Sequence, residues 1–253
     1  MDAGFRTPLL DVFRRGEAPV ELRLEAARGV LAPRAHEQLE LLILLVKDAD
    51  PDVAAAAEST LQSLPGEALA GFLARSDVSA ETRAFFAARG VTPAALPGDS
   101  VAPLVDAAPE PEKPANEDAK STLQRLAAMT VAQRMGVAMK GSREERAILI
   151  RDPNKLVSVA VLSSPKMSEP EVESIAKMAS ISEEILRIIA NTRAWMKRYG
   201  IVLALARNPK TPVAISMNLL SRLNDKDLRA ISTDRNVPEV LRITARQKIV
   251  LNK

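Results

Sequence analysis

Within Ala206-Arg207-Asn208-Pro209-Lys210-Thr211-Pro212-Val213 one helical pattern ends and another begins. Proline disfavours α geometry in the residue before it and has no N–H to donate, so Asn208-Pro209 closes a segment. Thr211 is placed to cap the next helix, with Pro212 at its first position, where a missing N–H costs nothing. Corners of this kind recur. Val157 to Pro170 reads V-S-V-A-V-L-S-S-P-K-M-S-E-P and Asp227 to Pro238 reads D-L-R-A-I-S-T-D-R-N-V-P. Each is a short apolar helix, a polar corner and a new helix beside a proline. Pro212 and Pro238 lie 26 residues apart, inside the period range of repeat arrays. The pattern predicts an all-α chain of short helices stacked through tight corners.

Composition agrees with that reading. Of the 253 residues 47% are hydrophobic but only 3% aromatic, which favours interdigitated small helices over a β-sandwich. The longest apolar run, Leu41 to Val46, falls far short of the roughly 18 residues a membrane span requires. The opening Met-Asp-Ala-Gly-Phe-Arg-Thr-Pro lacks the layout of a secretory signal, so a cytoplasmic protein without a membrane span is expected. The absence of cysteine removes disulfides, thiolate ligands and thiol nucleophiles.

Charge is unevenly spread. Lys and Arg number 10 against 14 acids over residues 1–98, 1 against 5 over 99–117, and 24 against 13 over 118–253. A basic second half after an acidic first half suggests an anionic partner, or docking of the halves on each other.

Three divisions follow. Residues 1–90 predict six helices, opening at Thr7-Pro8 and continuing at about 20–31, 35–47, 52–63, 65–75 and 79–89. The third is the most apolar and is the expected centre of its module. Residues 91–117 carry Pro93, Pro97, Pro103, Pro109, Pro111 and Pro114 among Ala, Asp and Glu, and predict a flexible, disordered linker. A docking strip is the alternative, with the apolar island Val101 to Val105 the part most suited to contact. Residues 118–253 predict ten helices, at about 121–129, 130–139, 142–150, 153–163, 169–179, 183–191, 193–206, 212–223, 225–232 and 238–251. Ser142 with Glu145, and Ser168 with Glu171, have capping-box spacing.

The corner Asp50-Pro51-Asp52-Val53, followed by Ala56, Ala57 and Leu61, resembles the turn inside HEAT-like repeats, although Ala54 stands where many such repeats place arginine. Residues 148–250, with their Asn-Pro-x-Thr-Pro corner, resemble leucine-rich-repeat-variant α-solenoids. An insertion, Asn191 to Arg198, breaks their period. The whole chain resembles a bacterial two-module repeat family, and the resemblance implies a shape more than an activity.

The insertion carries the single Trp and the single Tyr beside cations. On one helix Trp195 and Tyr199 share a face, with Arg193 and Lys197 on another. Arg193, Trp195, Lys197, Arg198 and Tyr199, with Arg207 and Lys210 at the corner, form the candidate partner-binding set. The alternative is that Trp195 fills a gap in the core and the cations are solvated. Lys140-Gly141-Ser142-Arg143 lacks the order of a phosphate loop. A helix N-terminus flanked by Lys140, Ser142, Arg143 and Arg146 remains a weak candidate for holding an anion, beside its reading as a plain cap. The lone His36, amid Glu37 and Glu40, predicts a surface side chain and no metal site. Acid pairs such as Glu144-Glu145 and Glu183-Glu184 fall in first helical turns, where dipole complementarity explains them.

No catalytic motif or cofactor site is legible. The expectation is a non-enzymatic scaffold or adaptor whose basic C-terminal solenoid binds an acidic protein surface or segment. Nucleic-acid binding by the same module is the alternative, and coverage of the basic groove by the acidic half is a third.

Overall fold

The computed structural model describes residues 7–32, 34–98, 100, 102–105 and 119–251. Among them every regular element is a helix. The chain forms two compact units, residues 1–166 and 167–253. The division falls after Lys166, whereas the sequence reading places boundaries at 90 and 117.

The first unit contains α1 (Pro8–Arg14), α2 (Val20–Ala27), α3 (Ala35–Leu45), α4 (Pro51–Gln62), α5 (Gly66–Leu73), α6 (Ala80–Ala87), α7 (Ala119–Ala128), α8 (Val131–Lys140), α9 (Arg143–Leu149) and α10 (Lys155–Leu162). Local chemistry sets most of the ends. Thr7 caps α1 ahead of Pro8, and Asp50 caps α4 ahead of Pro51, taking the N–H groups of Asp52 and Val53. Gly29, at φ 83°, ends α2 earlier than expected, because glycine enters the left-handed region without a Cβ clash. As expected, α3 is central: it packs on α1, α2, α4 and α6 and buries Leu39, Leu41, Leu42 and Leu45.

One helix accounts for the extent of this unit. In α10 every residue from Leu156 to Leu162 is buried, Ser158 included. A helix without a solvent face needs cover on both sides. It receives that cover from α8 and α9 on the one hand and from α1 on the other. The Leu9 N–H donates to Ser163 Oγ across this buried contact at 3.2 Å. The first six helices and the next four therefore share one core.

Part of the expected linker is ordered against that core. The Ala94 N–H donates to Ala70 O and the Gly98 N–H to Gly71 O, each at 2.9 Å. Further on, Leu104 and Val105 bond to the side chain of Gln38. Asp99, Val101 and residues 106–117 lie outside the described residues. His36 also departs from expectation. It is half-buried, edge-on to Phe72 at 4.7 Å, with Nε2 3.2 Å from Asp77 O.

The second unit contains α11 (Glu169–Lys177), α12 (Glu183–Asn191), a 3-10 turn (Trp195–Lys197), α13 (Tyr199–Arg207), α14 (Val213–Leu220), α15 (Asp225–Thr233) and α16 (Glu239–Leu251). Here α13 packs on α11, α12 and α14, and α16 packs on α14 and α15.

The corners of both units share a construction. Asp48, Asp152, Ser164, Asn208 and Asp234 each accept, through the side chain, the N–H two residues on, at 2.8 to 3.3 Å. Such turns redirect the chain without leaving a donor unmet. Each side chain also reaches an earlier helix. Arg23 meets Asp48, Arg134 meets Asp152 and Arg207 meets Asp234, at 2.5, 2.8 and 2.9 Å. Ser164 donates to Met139 O at 2.8 Å, and Asn208 donates to Ala176 O and Met178 O at 2.8 and 3.1 Å. Thr211, expected as a cap, is buried with its hydroxyl unpartnered, and Asn208 organises the corner instead.

Candidate interaction surface

The stretch between α12 and α14, which holds the insertion, does not form the single helix expected over 193–206. Trp195 to Lys197 make one 3-10 turn, Arg198 is extended at φ −92° and ψ 118°, and α13 begins at Tyr199. Trp195 and Tyr199 therefore do not share a helix face. Trp195 is half-buried, neither an open platform nor a fully enclosed plug.

Tertiary bonds account for the break. Arg198 Nε pairs with Glu169 at 2.6 Å, and the Arg222 guanidinium donates to Met196 O. The Tyr199 hydroxyl donates to the Asp227 carboxylate and accepts the Asn224 N–H at 3.2 Å. Desolvation, with the Asp227 charge assisting, pushes the Tyr199 hydroxyl above its ordinary pKa, while the Asn224 N–H opposes that shift. These contacts hold the turn from α11, α15 and the segment between α14 and α15, and none is visible in local propensity.

Of the candidate set, Arg198, Tyr199 and Arg207 are thus engaged within the molecule. The Arg207 guanidinium and the Asn236 N–H hold the Asp234 carboxyl below the usual range. Arg193, Lys197 and Lys210 are exposed and make no side-chain hydrogen bond or ion pair among the described residues.

Beside Arg207 runs a groove of about 720 Å³, lined by α11, α13 and the corner after α15. Leu203 and Ala204 supply apolar lining. Glu173 with Lys177, and Arg207 with Asp234, supply charge. Gly200 brings α13 close to α11. A Cβ there would stand 2.3 Å from Glu173 Oε2, so only glycine leaves that carboxylate in place near the positive end of α13. Lys210 adjoins the lining residue Pro209 in the chain, and Arg235 lies between Asp234 and Asn236.

The proposed anion holders are differently employed. Ser142 and Glu145 form the capping box, with Ser142 N–H to Glu145 Oε2 at 2.5 Å and Glu145 N–H to Ser142 Oγ at 3.3 Å. Glu145 also pairs with Arg125 at 2.7 Å. Arg146 is buried and donates to Gly141 O at 3.0 Å and Lys166 O at 3.4 Å. A carboxylate of the protein already occupies the α9 N-terminus, leaving the exposed Arg143 and the half-buried Lys140 outside any anion cradle. Among the described residues no group of three His, Cys, Asp or Glu side chains is placed to hold a metal ion. Nor, among them, is any helix long and apolar enough to cross a membrane.

Sequence reasoning missed Glu173, Lys177, Gly200 and Asn236. One signal was available: the polar corner residues Asp152, Asn208 and Asp234 recur before each helix restart, and what precedes or faces them is a candidate lining. The aromatic pair drew attention instead, because single large side chains stand out in an alanine-rich chain. Compared with family models, with curated proteins and with solved structures, the chain finds no match in any of the three.

Proposed function

We propose that the protein is a non-enzymatic interaction scaffold, an α-solenoid whose C-terminal unit binds an extended acidic segment of a partner protein. The supporting observation is a surplus of unspent positive charge. Residues 167–253 hold 15 Lys and Arg against nine acids, and of those acids only Glu239 has no partner among the described residues. Arg193, Lys197, Lys210, Lys226, Arg229 and Arg235 remain exposed without one. The acids are consumed internally, so the free cations set the field that an incoming chain meets. The groove beside α13 has apolar lining and two ion pairs whose cations a ligand carboxylate can share.

Fluorescence anisotropy of the full chain tests this reading, with a labelled acidic peptide, duplex DNA, single-stranded DNA and RNA titrated from low to physiological salt. The acidic peptide should bind best, and Lys210→Glu with Arg235→Glu should weaken it about tenfold or more, as loss of two charge contacts predicts. Arg193→Glu with Lys197→Glu asks separately whether the insertion takes part. Nucleic acid bound more tightly, with a steep salt slope, would replace the proposal by the nucleic-acid reading.

A further inference from the structure

The first unit grips a segment of its own chain by the backbone. Residues 94–98 lie on α5 through the Ala94 N–H to Ala70 O and the Gly98 N–H to Gly71 O, both 2.9 Å. The Arg75 guanidinium then donates to Ser100 O at 3.2 Å. Gln38 completes the hold. Its Oε1 accepts the N–H groups of Leu104 and Val105 at 2.7 and 3.0 Å, and its Nε2 donates to Val105 O at 2.5 Å. A glutamine amide offers an acceptor and a donor side by side, as the edge of a peptide strand does.

Two features distinguish this grip from ordinary loop packing. Gln38 is 1% exposed on α3 beneath the strap, and without an occupant its Oε1 would lose both N–H donors and its Nε2 would keep only the long 3.5 Å bond to Gly29 O. Conversely the strap contributes little of its own. Ala94 to Gly98 are exposed, Leu96 to 79%, and Pro103, Leu104 and Val105 are only half-buried. The site demands backbone, and the resident backbone has no deep side-chain anchor. Close approach is built in from both sides. A Cβ on Gly71 would lie 3.4 Å from Gly98, and one on Gly29 would lie 3.3 Å from Gln38 Nε2 and 3.7 Å from Val105 Cγ1.

The geometry points to an exchangeable peptide site centred on Gln38, which takes an extended, apolar, proline-bearing segment of a partner protein in place of residues 94–98 and 102–105. The chemistry required of the ligand is that of Ala102-Pro103-Leu104-Val105: small or apolar side chains, an extended backbone, and two successive free N–H groups. The resident strap is an intramolecular competitor. A tethered segment acts at an effective concentration on the order of millimolar, so a strap whose own untethered Kd is about 100 μM or tighter masks the site about tenfold or more.

The test uses the full chain and a fluorescein-labelled synthetic peptide of residues 92–105, followed by anisotropy. Leu104→Pro with Val105→Pro releases the strap from Gln38 and leaves its bonds to α5 in place. Proline keeps the extended backbone and removes the two N–H donors. The peptide should bind this variant at least tenfold more tightly than the wild type, and adding Gln38→Met should abolish the gain. Circular dichroism and thermal melting check that each variant folds. A peptide carrying the same two prolines should not bind the unaltered protein at concentrations where the natural peptide does, a comparison that needs no protein variant. Failure of the natural peptide to bind the released variant, or equal binding by the proline peptide, overturns the proposal. So does a doubled mass that the strap substitutions abolish, since that would make a second copy the occupant.

Discussion

Glu37 sits in the first turn of α3 with 0% of its surface exposed, and neither carboxylate oxygen is hydrogen-bonded among the described residues. Burial pushes its pKa up, against smaller opposing pulls from the Thr7 hydroxyl and Arg34. The folded protein then keeps a proton that the unfolded chain releases near 4.5. Stability must fall as pH rises from that value through the folded pKa, and stay lower above it. Glu37→Gln removes the charge at nearly constant shape. At pH 7 it should gain on the order of 1 kcal/mol, the lower end of what an unmet buried polar group costs. Near pH 4 the gain should vanish. Urea unfolding of both proteins at the two pH values checks it, and a gain of equal size at pH 4 would rule out titration as the cause. The sequence does not reveal this residue's burial, because Glu37 and Gln38 occupy polar letters in the most apolar helix and read as its wet edge.

Among elements, the corners carry the connections between helices, and they differ sharply from the surface ion pairs. Asp152 accepts the Asn154 N–H at 2.8 Å and pairs with Arg134 at 2.8 Å, with side chains 7% and 17% exposed. Removing one partner of an enclosed pair leaves the other unsatisfied, so Asp152→Ala should cost about 3 kcal/mol. Asp152→Asn keeps the turn and should cost less. Glu183→Ala breaks the i,i+4 pair with Arg187, whose side chains are 58% and 52% exposed, removes one first-turn acid of α12, and should change stability by no more than about 1 kcal/mol. Denaturation midpoints at constant slope rank the three, and equal losses would refute the distinction. Among the described residues, fifteen of the sixteen helices were legible to within about two residues of their starts, several because the start rests on local chemistry: Thr7-Pro8, Asp50-Pro51, and serine with glutamate three residues on. The stretch 193–206 was not, since Arg198 is held extended by Glu169, a residue 29 positions earlier that no local pattern points to. The candidate site shows the same limit. Lys210 and Arg207 were read from their corner, whereas Glu173 and Gly200 enter the groove only through the packing of α11 on α13.

At the scale of the whole molecule, the proline-rich segment separates stretches of sequence that do not separate in space. Proline density correctly marks where helices stop, yet composition says nothing of whether the helices on either side share a core. The information lay in α10, where Leu156-Val157-Ser158-Val159-Ala160-Val161-Leu162 is apolar but for one serine and leaves no polar stripe for water after Lys155. Fully burying each of its Val and Leu side chains is worth roughly 1.5–3 kcal/mol, and part of that cover comes from α1. Division at the linker should therefore damage both pieces. Residues 1–166 should unfold in a single cooperative urea transition, whereas residues 1–90 alone should show a lower midpoint and a shallower slope, because less surface is buried on folding. In residues 118–253, hydrogen exchange should be fast through α8 to α10 and slow in α11 to α16, which keep their own core. If both linker-cut fragments unfold as cooperatively as residues 1–166, and α10 stays protected without α1, then the contact between α1 and α10 is incidental and the linker does divide two independent modules.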